Sequence, residues 1–251
     1  MIDDLKALAG RTILVTGGAR RIGGAIVRDL AAAGADVVVH CHRSADEARE
    51  TAEAARAAGV RAWVVCCDLS DPAAADRCMD DVLAATNGRL DGLVNNASVY
   101  PESHVLTVQP EALDACVRLH ATAPLLLARR MAALGGRGDI VNILDARITM
   151  YDSEHAAYHL SKRMLSSLTR MLALELAPRI RVNAVAPGAV LQMDREDEAA
   201  LKRLATFNPL QTHGSPRGLA SCVRFLMTCD FITGQTLYYD GGYHLKAATY
   251  G

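Results

Sequence analysis

The chain has 251 residues, 51% of them hydrophobic and 22% charged, with a formal net charge of −1, the profile of a globular protein built on one large core. Near-neutral charge gives no reason to expect nucleic acid or an anionic membrane as partner. No apolar run reaches the roughly 18 residues of a membrane span, and the acidic opening "MIDDLKALAG" lacks the basic start of a signal peptide, so a cytoplasmic location is expected.

Along the chain, short β-branched runs alternate with longer, Ala-rich helical patterns. Strands are expected at Thr12–Thr16, Asp36–Cys41, Arg61–Cys66, Gly92–Asn95, Asp139–Leu144, Arg181–Ala186 and Gln235–Tyr239. Helices are expected at Arg21–Ala33, Ala45–Ala58, Pro72–Thr86, Pro110–Ala133, Glu154–Leu176 and Pro216–Thr228. Runs such as "DVVVH" and "DIVNIL" are apolar throughout, as when helices cover both faces of a parallel sheet. The expected fold is therefore a single-domain, doubly wound (Rossmann-type) α/β protein, residues 1–251, with a parallel seven-stranded sheet.

The first strand runs into "TGGARRIGGA". Glycines at a strand-to-helix turn let backbone N–H groups approach a pyrophosphate, and the helix N-terminus adds partial positive charge. This makes Gly17, Arg21 and Ile22 candidate cofactor residues, with Arg21 standing where a middle glycine is usual. The second strand ends in "HCHRS": His42, Arg43 and Ser44 replace the acid that commonly meets an adenosine ribose, and with Arg21 they suit a 2′-phosphate. NADPH is thus favoured as cofactor; the plainer alternative leaves Arg43 solvated and Ser44 as a helix cap.

The third strand ends in "CDLS", where Asp68 can accept from an adenine amino group beside Leu69, and the fourth in "NNAS", with Asn95, Asn96 and Ala97. Each is also an ordinary turn or cap residue. The seven cysteines are odd in number, scattered and without a C-x-x-C pair, which fits reduced thiols, Cys66 and Cys67 packed in the core, better than disulfides or zinc; no metal site is expected.

Tyr158 and Lys162 share one face of a helix, and a cation beside a phenol stabilises the phenolate and improves it as a general acid. Asp145 stands thirteen positions before the tyrosine. The irregular segment from Leu191 to Thr212 is a candidate substrate loop, with a solvated surface helix as the alternative.

On "TGGARRIG", "CDLS", "NNAS", "YHLSK", "RVNAVAPG" and "ITGQTLYYDGG", the sequence resembles the short-chain dehydrogenases/reductases over essentially its whole length. In that family the tyrosine is the acid/base, the lysine also holds the nicotinamide ribose, and a serine occupies the position of Asp145. Pro187 and Gly188 match the turn beside the nicotinamide. An ionised carboxylate repels the oxyanion of a reduced ketone, whereas it can hold the N–H groups of a nitrogen heterocycle or orient the tyrosine.

The Asp145/Tyr158/Lys162 set is similar to that of the pteridine and dihydromonapterin (dihydrofolate-type) reductases. That resemblance implies an NADPH-dependent reductase of a pterin or folate, with Tyr100 stacking on the substrate, Ser98 in contact with phosphate or substrate, and a homotetramer. His120 stands where many members have an asparagine that holds a water near the lysine; packing between helices is the other reading. The competing functions are a carbonyl or 3-oxoacyl thioester reductase and a non-catalytic nucleotide sensor.

Overall fold

The computed structural model describes residues 7–190 and 206–248. Seven parallel strands form one sheet: β1 (Thr12–Val15), β2 (Asp36–Cys41), β3 (Ala62–Cys66), β4 (Gly92–Asn95), β5 (Gly138–Ile143), β6 (Ile180–Pro187) and β7 (Thr236–Tyr239), in the order β3-β2-β1-β4-β5-β6-β7. The helices are α1 (Arg21–Ala32), α2 (Ala45–Ala57), α3 (Pro72–Ala85), α4 (Pro110–Val117), α5 (Ala123–Ala133), α6 (Ala156–Leu176) and α7 (Pro216–Thr228). The expected architecture is observed, and element ends move by one or two residues, as helix and strand ends commonly do.

Because β1, β2, β4 and β5 are apolar on both faces, each side of the sheet carries its own core. One gathers Ile13, Val15, Val37 and Val39 under Ile26, Leu30, Leu219 and Leu226; the other gathers Leu14, Val38, Leu93 and Ile140 under Met79, Leu127 and Leu172. The strand order reverses between β1 and β4, and the carboxyl ends of strands at such a switch point leave a crevice. At the opposite edge Asp139 pairs with Arg11 and Arg181, which neutralises a buried acid far from the crevice.

One expected helix is interrupted. Pro110–Ala133 is a continuous helical stretch whose turn at Arg118–Thr122 is π-helical. Pro124 lacks an N–H and its ring crowds the carbonyl of His120, so the turn before it widens. That wider turn carries His120.

Cys66 is exposed rather than packed in the core, with its Sγ 2.9 Å from the Sγ of Cys41 on the neighbouring strand, and Cys67 is half-buried. Of the expected substrate loop, residues 191–205 lie outside the described residues. Its remainder, from Thr206, is tied to the body through Leu210 N–H donating to Gly241 O at 3.2 Å, and within it Asn208 Nδ2 donates to Thr212 O at 2.7 Å. No helix among the described residues is long and apolar enough to cross a membrane.

Candidate active site

A crevice of about 640 Å³ opens at the switch point. Gly17, Arg21, Ile22, His42, Arg43, Ser44, Asp68, Leu69, Ala97 and Ser98 line it, together with Arg20. The turn that forms its floor is held from below by His40, which sequence reasoning missed. Its Nδ1 accepts from Gly17 N–H at 3.1 Å, so Nε2 carries the proton and donates to Cys67 O at 3.2 Å. With both nitrogens engaged, the ring has no lone pair left for a metal, although Cys67 and Cys78 lie nearby.

Two glycines make the turn tight enough for a phosphate. Gly17 has φ +61°, and a Cβ on Gly23 would lie 2.0 Å from Gly17 O, so helix and strand approach as closely as a backbone allows. Arg21, in the place of a middle glycine, takes a glycine-like φ of +52°, a strained conformation for a long side chain. A dinucleotide with a 2′-phosphate fits this donor set: Arg20 and Arg21 after β1 and His42 and Arg43 after β2 line the crevice, and the first acids after β2, Asp46 and Glu47, come only in the first turn of α2. Ser44 holds the N-cap position of α2 without a side-chain cap bond, leaving its hydroxyl for a ligand. Asp68 accepts from the Ser70 hydroxyl and N–H at 2.7 and 2.9 Å, which holds its carboxyl below the usual range.

Asn95 is not part of the crevice wall. It is buried, and its Nδ2 donates to Asn142 Oδ1 at 2.8 Å, while Asn142 Nδ2 donates to Thr169 Oγ at 2.9 Å. This polar ladder crosses β4 and β5 and fixes α6 on the sheet. Its neighbour Asn96 lines the crevice and ties the Gly17 turn, donating to Thr16 O and Gly17 O.

Further along the same edge, α6 presents Tyr158 and Lys162 towards the end of β5. Tyr158 is buried, and its hydroxyl donates to Asp145 Oδ2 at 3.0 Å. Burial and the Asp145 carboxylate push the phenol well above its ordinary pKa, with Arg147 opposing them. Lys162 Nζ donates to Ile143 O at 2.7 Å and lies 5.7 Å from the centre of the Tyr158 ring. Its burial brings the ammonium down to about 8, with Asp145 opposing. Lys162 thus lies beside the Tyr158 ring with one of its donors on the backbone of β5, and Arg147 is a second cation acting on the phenol.

Arg147 was not singled out in the sequence. Asp145 caps the short 3-10 turn Ala146–Thr149, accepting from Arg147 N–H at 2.7 Å, and this folds the guanidinium back beside the carboxylate, Nε at 3.4 Å. The same guanidinium bonds Asp152 Oδ2 at 2.9 Å and donates to the Tyr100 hydroxyl at 2.7 Å. Tyr100 stacks on His155 with centroids 3.8 Å apart and meets Tyr158 edge-on at 4.6 Å.

His120 is a clasp. Ser161 Oγ donates to Tyr158 O, so His120 Nδ1 donates to Ser161 Oγ at 2.7 Å, and Nε2 accepts from Val99 N–H and the Ser98 hydroxyl, both at 3.1 Å. Burial and the Lys162 charge lower its pKa to about 2, so the ring is neutral. Both nitrogens are spent on tying the loop after β4 to α6, leaving none for a water beside the lysine. Pro187 and Gly188 end β6 on the same edge, Gly188 N–H donating to Tyr239 O at 3.0 Å.

A buried phenol that keeps its proton, on the edge that also carries a dinucleotide crevice, is the equipment of an oxidoreductase. Residues 17–244 match the family described as "Enoyl-(Acyl carrier protein) reductase". L-xylulose reductase of Mesocricetus auratus is 36% identical over 94% of this chain and 97% of its own. The structure of FolM alternative dihydrofolate reductase 1 from Brucella canis, complexed with NADP, shares 38% identity and a TM-score of 0.85 over 96% of both chains. The angucycline C-6 ketoreductase LanV with bound NADP shares 31% identity and a TM-score of 0.87 over 95% of this chain and 97% of that one. The chain belongs to the short-chain dehydrogenase/reductase family.

Proposed function

We propose that the protein is an NADPH-dependent reductase of a pterin or folate, taking a dihydropterin or dihydrofolate to the tetrahydro form or a pterin to the dihydro form. The single observation that carries this reading is the 3.0 Å bond from the Tyr158 hydroxyl to Asp145. An acid occupies the position where a ketone reductase places a hydroxyl donor, and it accepts from the proton source instead of donating to a substrate oxygen. The similarity to FolM, a dihydrofolate reductase, supports the same substrate class.

NADPH, when bound, supplies the hydride. Gly17, Arg21, Ile22, His42, Arg43, Ser44, Asp68, Leu69 and Ala97 hold its adenosine and phosphate end, and Lys162, Pro187 and Gly188 its nicotinamide end. Tyr158 Oη gives the proton to a ring nitrogen, and Arg147 is placed to stabilise the phenolate left behind. Asp145 aims the hydroxyl and accepts from ring N–H groups. Tyr100, about half exposed, offers an aromatic side chain to a flat substrate, and exposed Ser98 is near it in the chain. The protein acts in the cytoplasm.

A second reading, reduction of a carbonyl, is favoured by the ketoreductase among the similar structures and by Arg147, whose charge offsets that of Asp145. The test is NADPH oxidation with dihydrofolate, dihydromonapterin, biopterin and an acetoacetyl thioester, wild type beside Asp145→Ser. Pterin turnover that falls on the order of 100-fold in the variant is expected. Turnover on the thioester alone, kept or improved by serine, sinks the pterin reading. NADPH binding with no turnover on any substrate would leave a sensor.

The protein assembles as a homotetramer through the α4–α6 face. Leu160, Met164, Met171 and Leu174 form an exposed apolar stripe along α6 beside an open groove of about 520 Å³. Sedimentation should give four chains for the wild type and a smaller species for Leu160→Glu/Met164→Glu; a monomeric wild type would end the assignment.

A further inference from the structure

The guanidinium of Arg147 touches three of the groups around the phenol at once. It bonds both the backbone-capping oxygen of Asp145 and the carboxylate of Asp152, and it donates to the hydroxyl of Tyr100. Only one third of the side chain is exposed, and the two acids it pairs with are 15% and 12% exposed, so the two ion pairs form largely out of water, where charge-assisted bonds are directional and strong. Two hydrogen bonds from residue 147, backbone and side chain, converge on Asp145 Oδ1 and leave Oδ2 to Tyr158. An arginine is needed for this: its planar fork reaches several acceptors in fixed directions, whereas an ammonium is a point charge.

We propose that Arg147 is the positioning residue that makes an acid at position 145 workable: it neutralises Asp145, turns its free oxygen to the Tyr158 hydroxyl, and sets the tilt of the Tyr100 ring against the Tyr158 ring. This rests on the reading of Tyr158 as proton donor and Asp145 as its acceptor. Without the guanidinium, only the backbone N–H of residue 147 still holds Oδ1, and the carboxylate becomes an uncompensated negative charge next to the group that must itself become negative when it gives up its proton. The platform and the proton source are thus set by one side chain, which explains why Tyr100, on a loop after β4, meets Tyr158 on α6 edge-on at 4.6 Å.

The test is a double-mutant cycle of Arg147→Met and Asp145→Asn, with kcat and KM measured on whichever substrate the wild type turns over. Misplacing a reacting group by about 1 Å costs on the order of 100-fold, and that loss of kcat is expected for Arg147→Met in the wild-type background, with KM for NADPH unchanged. In the Asp145→Asn background the same change should cost less, on the order of tenfold, because only the direct effects of the guanidinium on the phenolate and on Tyr100 remain to be lost. Arg147→Lys, which keeps the charge but not the fork, should recover part of the loss and serves in place of the methionine variant where that one does not fold. Equal losses in both backgrounds would mean that Arg147 only braces the 146–149 turn, and would overturn the proposal.

A crystal structure of the Arg147→Met protein with NADP+ supplies a readout that needs no substrate. The Asp145 carboxylate should leave Tyr158 and the Tyr100 ring should leave His155; unchanged positions for both would also overturn it. Should the wild type reduce a carbonyl and no pterin, the proposed function falls, while the same cycle run on that carbonyl still decides the role of Arg147.

Discussion

Tyr158→Phe should lower kcat by about 100- to 10,000-fold, the range that a positioned acid contributes, and should leave NADPH binding intact. The effect is large because the neighbours offer no replacement proton. His120 is neutral and has both nitrogens engaged, Lys162 donates to Ile143 O, and Asp145 is an acceptor. Burial and Asp145 hold the proton on the phenol, and the Arg147 charge opposes them and favours its release. The fold should survive, because phenylalanine keeps the edge-on ring contacts with Tyr100 and His120. Stopped-flow NADPH oxidation and a binding titration on the same preparation separate the two effects. A variant that keeps more than about a tenth of the wild-type rate would move the proton source from Tyr158 to water, because a positioned acid is worth far more than that.

Sheet and crevice were legible because they rest on local rules. A fully buried parallel strand has to be apolar on both faces, and a phosphate turn has to be rich in glycine, so "DVVVH" and "TGGARRIGG" carry their own meaning. The π-helical turn before Pro124 was hidden because a proline ring forces the widening from four residues downstream, and a helical pattern of apolar residues continues through it unchanged. Asn95 was misplaced for a different reason: adjacent residues at a strand end point opposite ways, and sequence alone does not say whether Asn95 or Asn96 faces the crevice.

Within the site, the tyrosine, lysine and acid were legible as types at a spacing, and their hydrogen bonds were not. Lys162 sits one turn from Tyr158, close enough to suggest a direct effect on the phenol. Its hydrogen-bond partner, Ile143 O, belongs to a strand 19 positions earlier. Arg147 stayed unread because its meaning depends on Asp145 capping a turn that folds the chain back on itself. The charge that matters most at Tyr158 after Asp145 is therefore set by local backbone geometry, which a motif does not record.

The rate should fall as pH rises through about 8, the value to which burial brings Lys162, and this limb should move to lower pH in Asp145→Asn. The sign follows from the two influences on the ammonium. Desolvation disfavours the charged form and lowers the pKa, while the Asp145 carboxylate favours it and raises the pKa, so removing the carboxylate leaves desolvation unopposed. The cation, and any activity that needs it, is present below the folded-state value and lost above it. Tyr158 does not supply this limb, because its pKa lies well above 10 in the same environment. The pH profile of kcat/KM reports groups of the free enzyme and is the measurement to make. A limb near 10 in both proteins would assign the loss to an exposed lysine or tyrosine. A limb near 8 that stays in place when Asp145 becomes asparagine would mean that the carboxylate and the ammonium do not sense each other, and that Lys162 works only as a strut on β5.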